Sequence, residues 1–161
     1  MRVIGIDPGT AITGWGVVEG DGNDLRMIAG GVVTTPAHMP LPERLQVIYR
    51  ELTDIIRQWQ PSTSAIEELF FSKNAKTALA VGHGRGAAML ALANANLSIT
   101  EYKPLEVKQA ITGHGGADKK QMQQMVQLLL SLDDIPRPDD AADALAVAIC
   151  HLHSARLRWL E

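Results

Sequence analysis

The chain has 161 residues, 46% of them apolar and 20% charged, which suits one domain spanning residues 1–161 with its own core. A formal charge of −3 argues against a histone-like protein that holds DNA by bulk charge, though not against an enzyme that gathers acids at a metal. The lone Cys150 has no partner for an internal disulfide, Met1-Arg2-Val3 does not open a signal peptide, and no apolar run is long enough for a bilayer; a soluble, cytoplasmic protein without membrane contact is expected.

Residues 2–7 read as a short buried strand ending in Asp7. Residues 13–18 and 25–35 follow as two more strands, and the short turns between them predict an antiparallel meander. The period then changes. Leu41, Leu45, Ile48, Leu52, Ile55 and Trp59 recur at three- and four-residue steps, marking an amphipathic helix that Pro61 stops. Ser64 to Glu67 is a short strand, residues 74–94 form an Ala/Gly-rich, close-packed helix, and residues 97–102 form another strand. A short helix from Pro104 to Ile111 precedes the loop Gly113-His114-Gly115-Gly116. Asp118 caps the next helix, which Pro136 and Pro138 terminate, and Asp139 or Asp140 opens the last one. The class is mixed α/β, with a meander at one end.

Acids stand out on three separate elements. Asp7 lies at the C-terminal mouth of a strand, where open α/β sheets place their ligands. Glu67 and Glu68 end another strand; as neighbours they point to opposite faces, so only one can join Asp7. On the last helix, Asp140 and Asp143 share a face, and so do Asp139 and Asp143; spacing does not choose between the pairs. Two carboxylates about 4 Å apart repel by ~4 kcal/mol at a protein-surface effective dielectric. Several together stay ionised at neutral pH only beside a cation, and a hard divalent ion such as Mg²⁺ accepts oxygen ligands. If the three sites never meet, Asp140 is a helix cap, Asp7 a turn former and Glu67 a solvated strand end.

Other features carry less. Lys73, Lys76, Lys103, Lys108, Lys119 and Lys120 fall in or beside predicted loops, and each taken singly is an ordinary solubilising lysine. The chain's only phenylalanines, Phe70 and Phe71, follow the Glu67-Glu68 pair. Loop aromatics beside carboxylates stack on bases, and one of the two is expected to pack inward with the other exposed. Gly82-His83-Gly84-Arg85-Gly86 has the wrong spacing and context for a phosphate loop; its small residues suit close helix–helix approach, within the chain or between subunits. Cys150, among Val147, Ile149 and Leu152, reads as core. His151 and His153 do not share a helix face, and His151 is about 12 Å along the axis from Asp143, so both read as packing or surface residues.

Gly5-Ile6-Asp7-Pro8-Gly9, Ala65-Ile66-Glu67-Glu68-Leu69-Phe70, Val107-Lys108-Gln109 and Asp140-Ala141-Ala142-Asp143-Ala144-Leu145 stand in an order that resembles the RuvC-type Holliday-junction resolvases, from residue 2 to about residue 153. The resemblance implies a ribonuclease-H-like fold: a mixed five-stranded sheet, an antiparallel meander plus two parallel strands, flanked by helices. It implies a homodimer that cuts four-way DNA junctions by paired symmetric nicks in recombination and repair, leaving 5′-phosphate and 3′-hydroxyl ends. Asp7, Glu67, Asp140 and Asp143 match the family's catalytic acids, which bind two Mg²⁺ ions with Mn²⁺ as a substitute; Glu68 and Asp139 fall outside that set. Phe70 matches an aromatic that contacts bases near the junction centre, and Lys108 and Lys119 match basic residues near the scissile phosphate. Phe71, Lys73, Lys76 and Lys120 are added as DNA-binding candidates. The helix from Ala75 matches the dimer interface, and the family suggests a branch-migration motor of the RuvA–RuvB type as partner. The main rival is an ATP-binding fold of the actin and sugar-kinase kind, which opens on a similar Gly-Ile-Asp strand and turn but needs two lobes. Further rivals are a ribosomal-RNA-processing nuclease of the same fold and a junction-binding module without catalysis, which would gain nothing from carboxylates facing phosphate.

Overall fold

The structure, a computed structural model, describes residues 1–21, 23–68 and 74–158, with backbone alone for 156–158. In chain order the elements are β1 (Arg2–Asp7), β2 (Ile12–Gly20), β3 (Leu25–Thr34), α1 (Leu41–Trp59), β4 (Thr63–Glu67), α2 (Ala75–Asn94), β5 (Ile99–Tyr102), α3 (Pro104–Thr112), α4 (Lys119–Leu129) and α5 (Asp139–Arg158). The strands form one five-stranded sheet in the order β3-β2-β1-β4-β5. β1, β2 and β3 pair antiparallel as the expected meander; β4 runs parallel to β1, and β5 parallel to β4.

Alternation along the central strands divides the core into two layers, because successive side chains leave opposite faces. Val3 and Ala65 pack with Leu145, Ile149 and Leu152 of α5. Ile4, Ile6 and Ile66 pack with Ile48 and Leu52 of α1 and with Ala88 and Leu92 of α2. Asp7 and Glu67 continue the first series, so β1 and β4 aim both acids at the α5 face. Glu68 continues the second series and leaves by the other face; its backbone N–H donates to the Tyr102 carbonyl.

Strand glycines set how closely α5 approaches. A Cβ at Gly5 would stand 2.2 Å from the Ala144 carbonyl oxygen, and one at Gly14 would stand 1.9 Å from that of Asp140. Only bare backbone allows the first turns of α5 to lie against β1 and β2, as strand glycines commonly signal.

Two sequence expectations are corrected. Leu97 and Ser98 are not strand: Asn96 adopts a left-handed φ of 59°, the Leu97 N–H returns to the Leu92 carbonyl, and β5 begins at Ile99. Gly84 of α2 does not serve helix–helix contact within the chain either: a Cβ there would fall 2.5 Å from the Gly9 carbonyl, so α2 crosses the β1–β2 turn at that point. Both histidines of α5 pack as expected. His151 is buried between the Tyr102 hydroxyl (3.0 Å) and Thr63 Oγ1 (3.4 Å), and His153 Nδ1 meets the Ala110 carbonyl.

Candidate active site

The acids meet at the C-terminal ends of β1 and β4, under the first turn of α5. Ile6 is in register with Ile66, which puts Asp7 beside Glu67 at the mouths of adjacent parallel strands. Asp7 also pairs across to Gly14, the residue on which the Asp140 backbone rests. Asp7, Asp140 and Asp143 each offer a carboxylate oxygen within 4.8 Å of the others. Glu67 borders the same cavity of about 270 Å³, with Asp7, Asp143, Lys108 and Lys119.

This crowding changes the acids. Burial, then the charges of Glu67, Asp143 and Asp140, push the Asp7 carboxyl up to about 8, with Lys119 acting in the opposite sense. Burial and the Asp143 charge raise Glu67, and Lys108 opposes them. Asp143 is raised by its own burial, against Lys119, and it is hydrogen-bonded to Asp7. Without a cation, these surroundings favour the protonated form of Asp7 beside Asp143. Three oxygen donors so close, two of them on the raised carboxyls of Asp7 and Asp143, fit a hard divalent cation.

The pair of helical acids left open by spacing separates in space. Asp140 and Asp143 turn to Asp7, and Asp139 turns to α4. Its Oδ2 lies 3.1 Å from Lys119 Nζ, and its Oδ1 accepts a 3.0 Å hydrogen bond from Gln123 Nε2. The fold gave this side chain a partner that spacing did not reveal.

The remaining candidates are dispersed. Lys108 lies in α3 and Lys119 opens α4, and both border the acid cavity. Lys120 is exposed beside Lys119. Lys76 borders a separate cleft of about 860 Å³ with Arg44 and His83, next to the turn that follows β1; no Asp or Glu is among its described lining residues. Phe70, Phe71 and Lys73 lie outside the described residues. The residues that sequence reasoning missed are Gly5 and Gly14. Their signal was present, since glycine inside an apolar strand marks close backbone approach.

A meander continued by two parallel strands, with helices on both faces and acids at the strand mouths, defines a ribonuclease-H-like nuclease. The family described as Crossover junction endodeoxyribonuclease RuvC matches residues 3–151. The chain is 62% identical over 155 residues to the Crossover junction endodeoxyribonuclease RuvC of Chloroflexus aggregans, covering 96% of this chain and 94% of that one. It is 57% identical over 154 residues to that of Alkaliphilus oremlandii, with 96% and 94% covered. Among solved structures, T. thermophilus RuvC in complex with Holliday junction substrate superposes with a TM-score of 0.94 at 38% identity, over 98% of this chain and 96% of that one. The chain belongs to the RuvC family of crossover junction endodeoxyribonucleases.

Proposed function

We propose that this chain resolves four-way DNA junctions by paired, symmetric nicks made by metal-dependent phosphodiester hydrolysis. The observation that carries the reading is the convergence of Asp7, Asp140 and Asp143 beside a cavity that Asp7, Asp143, Glu67, Lys108 and Lys119 line.

Asp7, Glu67, Asp140 and Asp143 would hold two Mg²⁺ or Mn²⁺ ions. When bound, such ions stabilise the attacking and leaving oxygens of an in-line displacement at phosphorus. The chain's own groups do the rest. In this reading water is the nucleophile at phosphorus. The 3′ oxygen leaves, giving 5′-phosphate and 3′-hydroxyl ends. Lys119, with Lys108 opposite, offsets charge gathering on the phosphoryl oxygens. Lys76, Lys73 and Lys120 extend the contact to neighbouring phosphates, and one of Phe70 and Phe71 stacks on bases, with Phe70 the match to the aromatic near the junction centre.

A two-fold junction calls for two sites related by a two-fold axis, which a homodimer supplies. An apolar groove of about 490 Å³ lined by Pro42, Leu45, Tyr49, Ala87 and Leu90 supports placing the interface on α1 and α2, beside the exposed Leu79 and Leu90. A branch-migration motor of the RuvA–RuvB type delivers the junction in this reading. No helix of the described residues is long and apolar enough to cross a membrane.

The test is a cleavage assay on a synthetic mobile four-way junction beside linear duplex of the same sequence. Paired nicks on the junction alone, dependent on Mg²⁺, are expected. Equal cutting of the duplex, or cutting in chelator, would refute the reading.

A further inference from the structure

We propose that Asp139, which lies outside the metal-binding acids, is a positioning residue: it fixes the ammonium of Lys119 at the mouth of the acid cavity. This rests on the reading of Lys119 as the cation that faces the scissile phosphate.

Asp139 directly precedes Asp140, yet both oxygens of its carboxylate are engaged by α4. Oδ2 takes Lys119 Nζ at 3.1 Å, and Oδ1 takes Gln123 Nε2 at 3.0 Å. Lys119 and Gln123 are four residues apart and so share one face of α4. The platform beneath them is fixed, because Asp118 and Gln121 exchange hydrogen bonds in a reciprocal cap at the start of α4. Gln123 thus holds the carboxylate in place, and the carboxylate holds the lysine.

Lys119 needs such an anchor. It opens a helix, where the backbone dipole repels positive charge. Its flexible four-carbon stem loses rotamer freedom when fixed. In the metal-free protein Asp143 and Asp140 also attract it. Divalent ions on those acids cancel that attraction, whereas Asp139 keeps its charge. It is the carboxylate that still orients Lys119 when the site is loaded. The pair is a little over half exposed, at 58% for Lys119 and 56% for Asp139. An ion pair so exposed adds little to global stability, so its effect belongs to the orientation of the lysine.

The test is a double-mutant cycle read by single-turnover cleavage of a synthetic four-way junction, with junction affinity measured separately in Ca²⁺. Asp139→Ala is expected to slow cleavage about two- to fivefold at unchanged affinity. Asp139→Asn, which keeps an acceptor for Gln123 but loses the charge, is expected to slow it equally. Neither is expected to slow it further in a Lys119→Gln background. In protein saturated with Ca²⁺, side-chain ¹³C relaxation at Lys119 Cε is expected to show greater mobility in Asp139→Ala. Cleavage at wild-type rate in Asp139→Ala, the same slowing in the Lys119→Gln background, or unchanged Lys119 mobility would overturn the proposal. If Lys119→Gln alone cuts at the wild-type rate, it is the reading of Lys119 that fails; if only the Asp139 variants do, that reading stands and the positioning role falls.

Discussion

The carboxyl of Asp7, at the end of β1, is hydrogen-bonded to that of Asp143, one turn into α5. Two acids far apart in the chain are thus coupled at the centre of the site, where a proton on Asp7 and a divalent cation compete.

Stability should therefore depend on pH in a particular sense. The Asp7 carboxyl moves from an ordinary 3.8 to about 8 on folding. Between those values the folded state binds a proton that the unfolded chain has released, so stability falls as pH rises. In chelator, the Tm is expected to drop from pH 5 to pH 8 and the drop to level off above. Asp7→Asn should flatten that slope, and added Mg²⁺ should raise the Tm more at pH 8 than at pH 5. Thermal unfolding followed by circular dichroism across that range checks all three; a Tm in chelator that rises steadily toward pH 8 would contradict them.

Asp7→Asn is expected to bind four-way junctions with near-native affinity and to cut them at least about 10²-fold more slowly, since loss of even an outer partner of a metal ligand costs 10–100-fold. Gel-shift titration in Ca²⁺ and a cleavage time course in Mg²⁺ separate the two effects. Cleavage near the wild-type rate would remove Asp7 from the site.

Gly14→Ala tests the seating of α5. The added methyl would meet the Asp140 carbonyl at 1.9 Å, and backbone cannot yield as a flexible side chain does. A loss of roughly 1–3 kcal/mol is expected from the overpacking. Cleavage should fall further than stability explains, because Asp140 and Asp143 move with the helix. Urea unfolding paired with cleavage below the unfolding range makes the comparison, and an unchanged midpoint would show that α5 does not sit as described.

Leu90→Glu tests the proposed dimer interface. Leu90 is 54% exposed on α2 and borders the apolar groove. A charge there should shift the chain to monomer in sedimentation equilibrium with little change in Tm. The monomer should lose paired cutting of one junction. A Leu90→Glu chain that sediments as the wild type does would move the interface elsewhere.

Much of this was legible in the sequence because apolar period and acid placement are local signals. β1 ends at Asp7 because the apolar run ends there, and α1 spans Leu41–Trp59 because its stripe and Pro61 bound it. The choice between Asp139 and Asp140 was not legible from spacing, because both share a helix face with Asp143 and only the neighbours of α5 distinguish them. Gly14 draws the Asp140 side of the helix onto the sheet, and Gln123 and Lys119 hold Asp139 away from it. The role of Gly84 was hidden for a similar reason, since its neighbour, the Gly9 turn, is remote in sequence. The family resemblance selected Asp140, and the geometry supplies the physical cause.

The account stands on Asp7, Glu67, Asp140 and Asp143 gathering divalent ions at one place. The most direct measurement is anomalous diffraction from crystals of the protein soaked in Mn²⁺. Two peaks are predicted, both touching Asp7 and sharing Glu67, Asp140 and Asp143 between them, with Asp139 still on Lys119. Manganese bound elsewhere, with these four side chains bare at a soak concentration that supports cleavage, would contradict it.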